Sequence, residues 1–225
     1  ASGTEIDAAL VLATDPATTR RVATDRAMPD LQWLDRVGAL RNAPPFAVWR
    51  LWLNRLVADH RPAFLGTSGF GPLDNISVLE RFEEGARRWS AAHGGSVVEL
   101  HAYALVEESS DQRLKDQLLA ELHRVYPELQ PASVVAEEFL IMNDCPLHGT
   151  DPWEQRLTVA TPHPRIVLAG DGIRCDFPVA LMERAATTGF LAANQLLSGW
   201  GWLAMIFGQC RCAPGIAQRP CSAAC

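Results

Sequence analysis

A glycine-flanked aspartate, Asp171, is the residue whose surroundings most favour chemistry in this chain of 225 residues. The apolar run 166–169 leads into Gly170, Asp171 and Gly172, a pattern typical of a buried parallel strand that ends in a tight turn. In an open α/β sheet, ligands bind beyond the carboxyl ends of the strands, beside the N-terminus of a following helix. The sequence therefore predicts a cofactor site at Asp171.

A long helix is predicted directly after this turn. Asp176 and Pro178 suit an N-cap and a first helical turn, so we expect the helix to run from near Phe177 to about Leu197. Small and apolar residues recur at helical spacing and predict the face that lies against the sheet: Val179, Met182, Ala186, Gly189, Ala193 and Leu196.

The same strand-and-turn pattern occurs near the start of the chain. The apolar run 7–13 is followed by Thr14, Asp15 and Pro16, which read as a cap and a first helical turn. Two copies at opposite ends predict that both ends belong to one α/β sheet and that the middle is an insertion. We predict that residues 1–27 and 161–199 form one domain, that residues 28–160 form the insertion, and that residues 200–225 are a disordered tail.

The insertion has the mixed pattern of an α+β domain. Alternating apolar residues predict strands at 46–56, 96–106 and 134–142, although a helix remains an alternative for 46–56. Helical spacing predicts helices at 76–93 and 111–126, and residues 64–73 read as a glycine-rich loop. His101 lies on a predicted strand beside Glu99 and Tyr103, where it is either a pocket residue or a partly exposed strand histidine.

Several functional classes find no support in the composition. A net charge of −6 argues against nucleic acid as a partner, and the sequence contains no G-x-S-x-G or HExxH motif. The pair Cys145 and His148 lacks a second pair, and the cysteines after residue 209 match no common zinc spacing, so we predict no metal site. No apolar run reaches membrane-spanning length, and no secretory signal is recognisable.

Two sets of motifs resemble a known family. LAGDGIRCDFPVALMERAATTGFLAANQLL is similar to the C-terminal flavin-binding segment of the amine oxidase and phytoene desaturase superfamily. HRPAFLGTSGFGPLDNISVLERFEEGARRW, GGSVVELHAYA and CPLHGTDPWEQR resemble, more narrowly, the bacterial isorenieratene synthases, which are carotenoid φ-ring synthases. The resemblance covers about residues 1–200.

The resemblance implies a partial FAD-binding Rossmann-like domain of the amine oxidase type with an inserted substrate domain of mixed sheet and helix. It also implies that Asp171, with Gly170 and Gly172 beside it, contacts the FAD ribityl chain. Ala180, Leu181 and Met182 would lie at a helix N-terminus facing the flavin pyrimidine edge. Backbone N–H groups and the helix dipole suit that place, because reduced flavin carries negative charge there.

The activity implied by the resemblance is oxidation of the β-ionone ring of a β-carotene-like substrate, with migration of a methyl group, to give an aromatic ring. The migration suggests a carbocation, for which four aromatic side chains are possible walls: Trp49, Trp52, Phe64 and Phe70. Asp74, Glu80 and His101 are the candidates for accepting a proton. Since carotenes are insoluble, the resemblance also implies a bacterial enzyme of the cytoplasm that associates peripherally with the membrane.

The chain departs from the family pattern in one respect. The superfamily's G-x-G-x-x-G turn, which cradles the FAD pyrophosphate, does not occur in the sequence. We therefore expect the missing N-terminal half of the enzyme to be a partner, and we expect this chain alone neither to retain FAD nor to be active. A related carotene desaturase or isomerase and a truncated, non-catalytic remnant are the alternatives.

Overall fold

The computed structural model describes residues 7–23, 28–105 and 110–202, so most of the predicted tail lies outside the described residues. The strands are β1 Leu10–Leu12, β2 Phe46–Leu53, β3 Phe64–Gly66, β4 Asn75–Val78, β5 Ser96–Ala102, β6 Val134–Met142 and β7 Ile166–Leu168. The α-helices are α1 Pro16–Val22, α2 Leu31–Ala39, α3 Glu84–His93, α4 Asp111–Val125 and α5 Leu181–Gly199.

The two ends of the described chain meet in a parallel strand pair. Strand β1 pairs with β7 in the register Leu10 to Ile166, as the repeated strand-and-turn pattern predicts. The core around this pair buries Leu12 and Leu168, and it also takes in Trp33 and Val37 of α2. The domain limits at residues 27 and 160 stay a prediction.

The insertion is built on a five-stranded antiparallel sheet with strand order β3-β4-β5-β2-β6. The strand prediction for β2 is confirmed, and its helical alternative is wrong. One sheet face packs on α4 through Leu114, Leu118 and Leu122, and it buries the alternate residues of β2: Ala47, Trp49, Leu51 and Leu53. Helix α4 and strand β6 are confirmed close to their predicted bounds.

The single helix predicted for residues 76–93 is wrong in its first half. Strand β4 and a 3₁₀ turn, Leu79–Arg81, precede α3, which ends as predicted at Gly94 in a left-handed conformation. Val78 fits the helical spacing of the residues after it, but Ile76 and Val78 pair across the sheet with Leu100 and Val98. The glycine-rich loop likewise contains a strand, β3, which pairs with β4. Tertiary pairing overrides local pattern in both segments.

Helix α5 differs from its prediction in its start and in its buried face. It begins at Leu181, and the N-cap Ala180 makes no side-chain hydrogen bond, so Asp176 and Pro178 do not cap it. The buried residues are Thr188, Ala192 and Leu196, whereas Met182 and Ala186, predicted to face the sheet, are exposed. A threonine faces the core here because its hydroxyl finds hydrogen-bond partners there.

Among the described residues, only one end of the second face of the five-stranded sheet is covered. There Trp52 and Val97 pack with Ala86 and Trp89 of α3. The opposite end carries Phe46 and Val48 of β2, which pair with Met142 and Leu140 of β6, respectively; these two β6 residues are 43% and 50% exposed. We call this uncovered end the open face. Within residues 7–23, 28–105 and 110–202, no helix has the length and hydrophobicity that a bilayer span requires.

Gly95 should be essential to the join between α3 and β5. A Cβ atom at this position would lie 1.9 Å from the Leu53 carbonyl oxygen, so either the β2 or the β5 backbone would have to move. We expect Gly95→Ala to lower the free energy of unfolding by about 1–3 kcal/mol or more, as overpacking does. Urea denaturation measures this.

Gly85→Ala is the matched control, because no atom lies within 4 Å of a Cβ there and the residue is helical. It should leave stability unchanged or raise it by up to about 1 kcal/mol. Equal effects of the two substitutions would contradict the packing described here.

Candidate cofactor site

The carboxyl ends of β1 and β7 open together on one cavity of about 590 Å³, a size that suits a cofactor. The turn after β1 contributes Thr14 and Asp15 to its wall, and the turn after β7 contributes Gly170, Asp171 and Gly172. The parallel register of the two strands causes this, since it places both turns at the same edge of the sheet. The structure thus brings together three of the six predicted cofactor residues.

The turn after β7 is fixed to α5 by a buried threonine. Thr188 Oγ1 accepts the Gly170 N–H at 2.9 Å, and the carbonyl oxygens of Gly170 and Arg184 both lie 2.9 Å from the same hydroxyl. Thr188 is fully buried. The hydroxyl therefore holds Asp171 at the cavity wall, a role that the sequence interpretation missed because it did not consider Thr188.

The turn after β1 is held by Asp15, the predicted N-cap of α1. Its Oδ1 accepts the backbone N–H groups of Ala17 at 2.9 Å and Thr18 at 3.1 Å, and the Asn42 amide at 3.3 Å. Hydrogen bonds from Thr18 and Asn42 lower the pKa of Asp15 to about 2, so the carboxylate remains ionised at neutral pH. Its place in the cofactor wall was not predicted, although the repeated pattern was the available signal.

The loop after β6 forms a third side of the cavity. Asp144, Pro146, His148 and Asp151 line it, and the pKa of His148 is lowered by burial and by Arg184 and Arg156. The imidazole is therefore neutral at pH 7. Sequence reasoning considered His148 only as a metal ligand, although CPLHGTDPWEQR was already among the family motifs.

The other three predicted cofactor residues lie outside the cavity wall. Ala180, Leu181 and Met182 are exposed at the N-terminus of α5, where the resemblance expects them. The first N–H groups of a helix have no intrahelical partner, and Ala180 provides no side-chain cap. Leu181 has a φ of 50°, which is rare for a leucine and is typical of functional sites. These donors are available to an electron-rich ring edge.

The space beside α5 fits a flat cofactor such as a flavin. Gly189 lies within the helix and lines the cavity, yet a Cβ at this position would meet no atom within 4 Å. Glycine inside a helix costs about 1 kcal/mol relative to alanine, and no protein neighbour requires it here. The open space at Gly189, the carboxylate of Asp171 and the uncapped helix together suit the cofactor that the resemblance implies.

The three proton-acceptor candidates fall in two places. His101 and Asp74 are neighbours at the open face: Asp74 Oδ2 accepts the Tyr103 N–H at 2.6 Å, and Asp74 N donates to the His101 carbonyl at 2.9 Å. Glu80 lies at the far end of β5, where its Oε2 accepts the Val97 N–H at 3.0 Å.

The four aromatic candidates are also separated. Trp49 is buried in the α4-side core, and Trp52 packs against the α3 cluster. Phe70 lies under the Arg124 guanidinium at 4.4 Å. Phe64 is 61% exposed and shares the sheet face of Glu99 and His101 through its pairing with Ser77.

Comparison with known proteins agrees with this geometry. Residues 2–197 match the family model of flavin-containing amine oxidoreductases. The chain is 51% identical over 194 residues to a carotenoid phi-ring synthase of Streptomyces griseus, covering 86% of this chain and 38% of that protein. It is 34% identical over 163 residues to a carotenoid phi-ring synthase of Chlorobaculum tepidum, covering 72% of this chain and 25% of that protein. The chain thus spans well under half the length of both relatives.

A solved structure supports the fold. The putative protoporphyrinogen oxidase of Exiguobacterium sp. 255-15 superposes with a TM-score of 0.58 at 13% identity, over 84% of this chain and 41% of that chain. At this identity the likeness concerns the fold alone. Together with the family match over residues 2–197, it confirms the predicted fold class, a partial FAD-binding domain of the amine oxidase type with an inserted domain of sheet and helix.

Filling the space at Gly189 should displace the cofactor. We expect Gly189→Leu in the full-length enzyme to lose most of its bound flavin, because the added side chain enters the cavity and not the protein core. The flavin-to-protein absorbance ratio after gel filtration measures this. Ala186→Leu, on the same helix at an exposed position away from the cavity, should keep its flavin. Full flavin content in Gly189→Leu would contradict the placement of the site.

Proposed function

This chain belongs to the flavin-containing amine oxidoreductase family, and on that premise we propose that it is part of a carotenoid ring desaturase. The proposed reaction oxidises CH–CH bonds of the β-ionone ring of a β-carotene-like carotenoid and, with migration of a methyl group, makes the ring aromatic. The observation that carries the proposal is the 51% identity to the Streptomyces griseus carotenoid phi-ring synthase across 86% of this chain.

The flavin family confirms the predicted cofactor, FAD, which supplies the acceptor for hydride removed from the ring carbons. We propose that Asp171, held by the Thr188 contact to Gly170, accepts hydrogen bonds from the ribityl hydroxyl groups. The N–H groups at the start of α5 would donate to the pyrimidine edge, which becomes electron-rich on reduction.

We propose further that the chain supplies one wall of the FAD site and is inactive by itself. The cavity wall in the described residues contains two strand-to-turn segments but no glycine-rich phosphate cradle, and G-x-G-x-x-G is missing from the 225 residues. Among those residues, β1 pairs on one side only, with β7, and Leu10 and Val11 are 42% and 46% exposed. The edge of β1 is thus suited to pair with a strand of the missing N-terminal half.

Peripheral association with a membrane is the proposed way to reach an insoluble substrate. Trp200 and Trp202 support it, because they are 55% and 70% exposed just beyond α5, and tryptophan favours the membrane–water interface. Fractionation of cells that express the complete enzyme tests this, with enzyme in the membrane pellet and its release by detergent as the expected result.

Pigment analysis tests the reaction. Expression of the complete gene in cells that accumulate β-carotene should yield carotenoids with aromatic end rings, identified by chromatography and mass spectrometry. Desaturated or isomerised carotenes with intact β-ionone rings would support a related carotene desaturase or isomerase and contradict the proposal. Unchanged β-carotene, in cells where the enzyme carries FAD, would also contradict it.

A further inference from the structure

The open face carries a continuous chain of hydrogen-bonded side chains that the cofactor site does not use. Arg50 Nε and Nη2 donate to Glu99 Oε2 at 2.9 and 2.7 Å. The other carboxylate oxygen, Oε1, lies 3.0 Å from His101 Nε2. His101 Nδ1 lies 2.7 Å from the hydroxyl oxygen of Tyr103, to which Asn75 Nδ2 donates at 3.2 Å. The chain begins at a guanidinium and ends at a phenol.

The direction of these hydrogen bonds follows from the charge of Glu99. The hydrogen bond from His101 and the Arg50 guanidinium lower the pKa of Glu99, despite its burial, so the carboxylate is ionised and only accepts. His101 Nε2 therefore carries the proton, and Nδ1 accepts the Tyr103 hydroxyl proton. Tyr103 oxygen then accepts from Asn75, donates to His101 and retains one lone pair that no described residue uses.

Exposure decreases along the chain from Tyr103 to Glu99. Tyr103 is 50% exposed, whereas the side chains of His101 and Glu99 are 23% and 15% exposed, and Arg50 beyond them is 32% exposed. The Phe46 ring lies 6.3 Å from the Tyr103 ring, and the Asp74 carboxylate accepts the Tyr103 N–H. A reacting group that arrives at this face therefore meets Tyr103 before the more buried His101 and Glu99.

The outer end of the chain is also the end of the sheet that joins the cofactor cavity. Arg41 and Asp144 line that cavity, and they lie five residues before Phe46 and two residues after Met142, which pair at the open face. Five residues span at most about 17 Å. An apolar molecule on this face can therefore reach the cavity mouth, which favours the ring end of the carotenoid as the occupant.

From this arrangement we infer that Tyr103, His101 and Glu99 form a proton relay that completes the ring reaction, an inference that rests on the proposed function. After loss of hydride and migration of the methyl group, the ring cation must lose a proton from carbon. The Tyr103 oxygen accepts that proton while its own proton passes to His101 Nδ1, and the electron pair of the broken C–H bond becomes the new ring C=C bond. Glu99, positioned by Arg50, stabilises the resulting imidazolium. Tyr103 is the catalytic residue, and His101 and Glu99 are positioning residues.

Tyr103→Phe in the full-length, FAD-loaded enzyme is the direct test, with β-carotene as substrate. The variant should lower kcat about 10²-fold, as loss of an acid–base group does, with KM and flavin content unchanged. Its Tm should fall slightly, because the hydrogen bonds of the hydroxyl with His101 and Asn75 are lost. Tyr126→Phe is the matched control: it removes the other tyrosine hydroxyl of the chain, which is buried and has no hydrogen-bond partner among the described residues. The control should keep wild-type kcat.

Glu99→Gln provides a second readout, the pH dependence of kcat, which a purely structural role of Glu99 would leave unchanged. The titratable and charged groups around His101 are Glu99 on β5, Tyr103 just after β5, Arg50 on β2 and Asp74 before β4, and Glu138 of β6 pairs with Arg50. Glutamine keeps an acceptor but loses the charge that favours the imidazolium. The acid limb of the profile of kcat against pH should therefore move to lower pH, because the imidazolium of His101 becomes less stable. The value of kcat should also fall about tenfold or more.

The outcomes separate the relay from the proposed function. Wild-type enzyme that makes aromatic rings, together with an unchanged kcat in Tyr103→Phe, would overturn the relay and leave the proposed function standing. An unmoved acid limb in Glu99→Gln would also overturn the relay, even if Tyr103→Phe lost its fold. Wild-type FAD enzyme without ring products would overturn both.

Discussion

The parallel pairing of β1 with β7 is the interaction on which the rest of the structure depends. It joins residues 10–12 to residues 166–168 and closes an insertion that contains the entire five-stranded sheet. The backbone bonds Leu10 N to Arg165 O at 2.8 Å and Ala169 N to Leu12 O at 3.0 Å fix the register. This register sets the turns at Asp15 and Asp171 side by side, so one short strand pair determines where a cofactor can bind.

The two faces of the sheet in the insertion differ: one forms the main core, and the other carries the polar chain. Helix α4 covers one face with leucines and makes it the main core, so charged groups there would have no partners. The other face tolerates Arg50, Glu99 and His101 because each of these polar groups is hydrogen-bonded and α3 covers only the far end. Burial of this polar chain does not by itself stabilise the fold, so stability alone does not account for it.

Local pattern was sufficient where a segment had one strong signal. The leucine spacing predicted α4 and its buried side, the Asp15 cap predicted the start of α1, and the alternation in β2 fitted the observed strand, although it left a helix open. Pattern failed where two signals coincided: Val78 fits a helix but pairs in the sheet, and Asp176 with Pro178 resembles a cap although the observed N-cap, Ala180, lies four residues after Asp176. The choice of partner strand depends on residues far away in the sequence, so the local spacing of a segment does not reveal it.

In the candidate site too, local pattern predicted some residues and missed contacts between distant segments. Asp171 and its glycines were predicted from the strand-and-turn pattern, whereas Ala180, Leu181 and Met182 came from the resemblance. The contact of Thr188 with Gly170 and the wall formed by His148 join segments distant in the sequence, so no local spacing could reveal them. Glu99, His101 and Tyr103 share a strand face by alternation, but their link to Arg50 required the β2–β5 register.

The central claim is that this chain forms one wall of an FAD site, and the FAD stoichiometry of the purified protein tests it most directly. The 225-residue chain should be purified once alone and once after co-expression with the portion of the Streptomyces griseus relative that the chain does not match. The account predicts no retained FAD for the chain alone and about one FAD per complex. Stoichiometric FAD on the chain alone, or a stable complex without FAD, would contradict it.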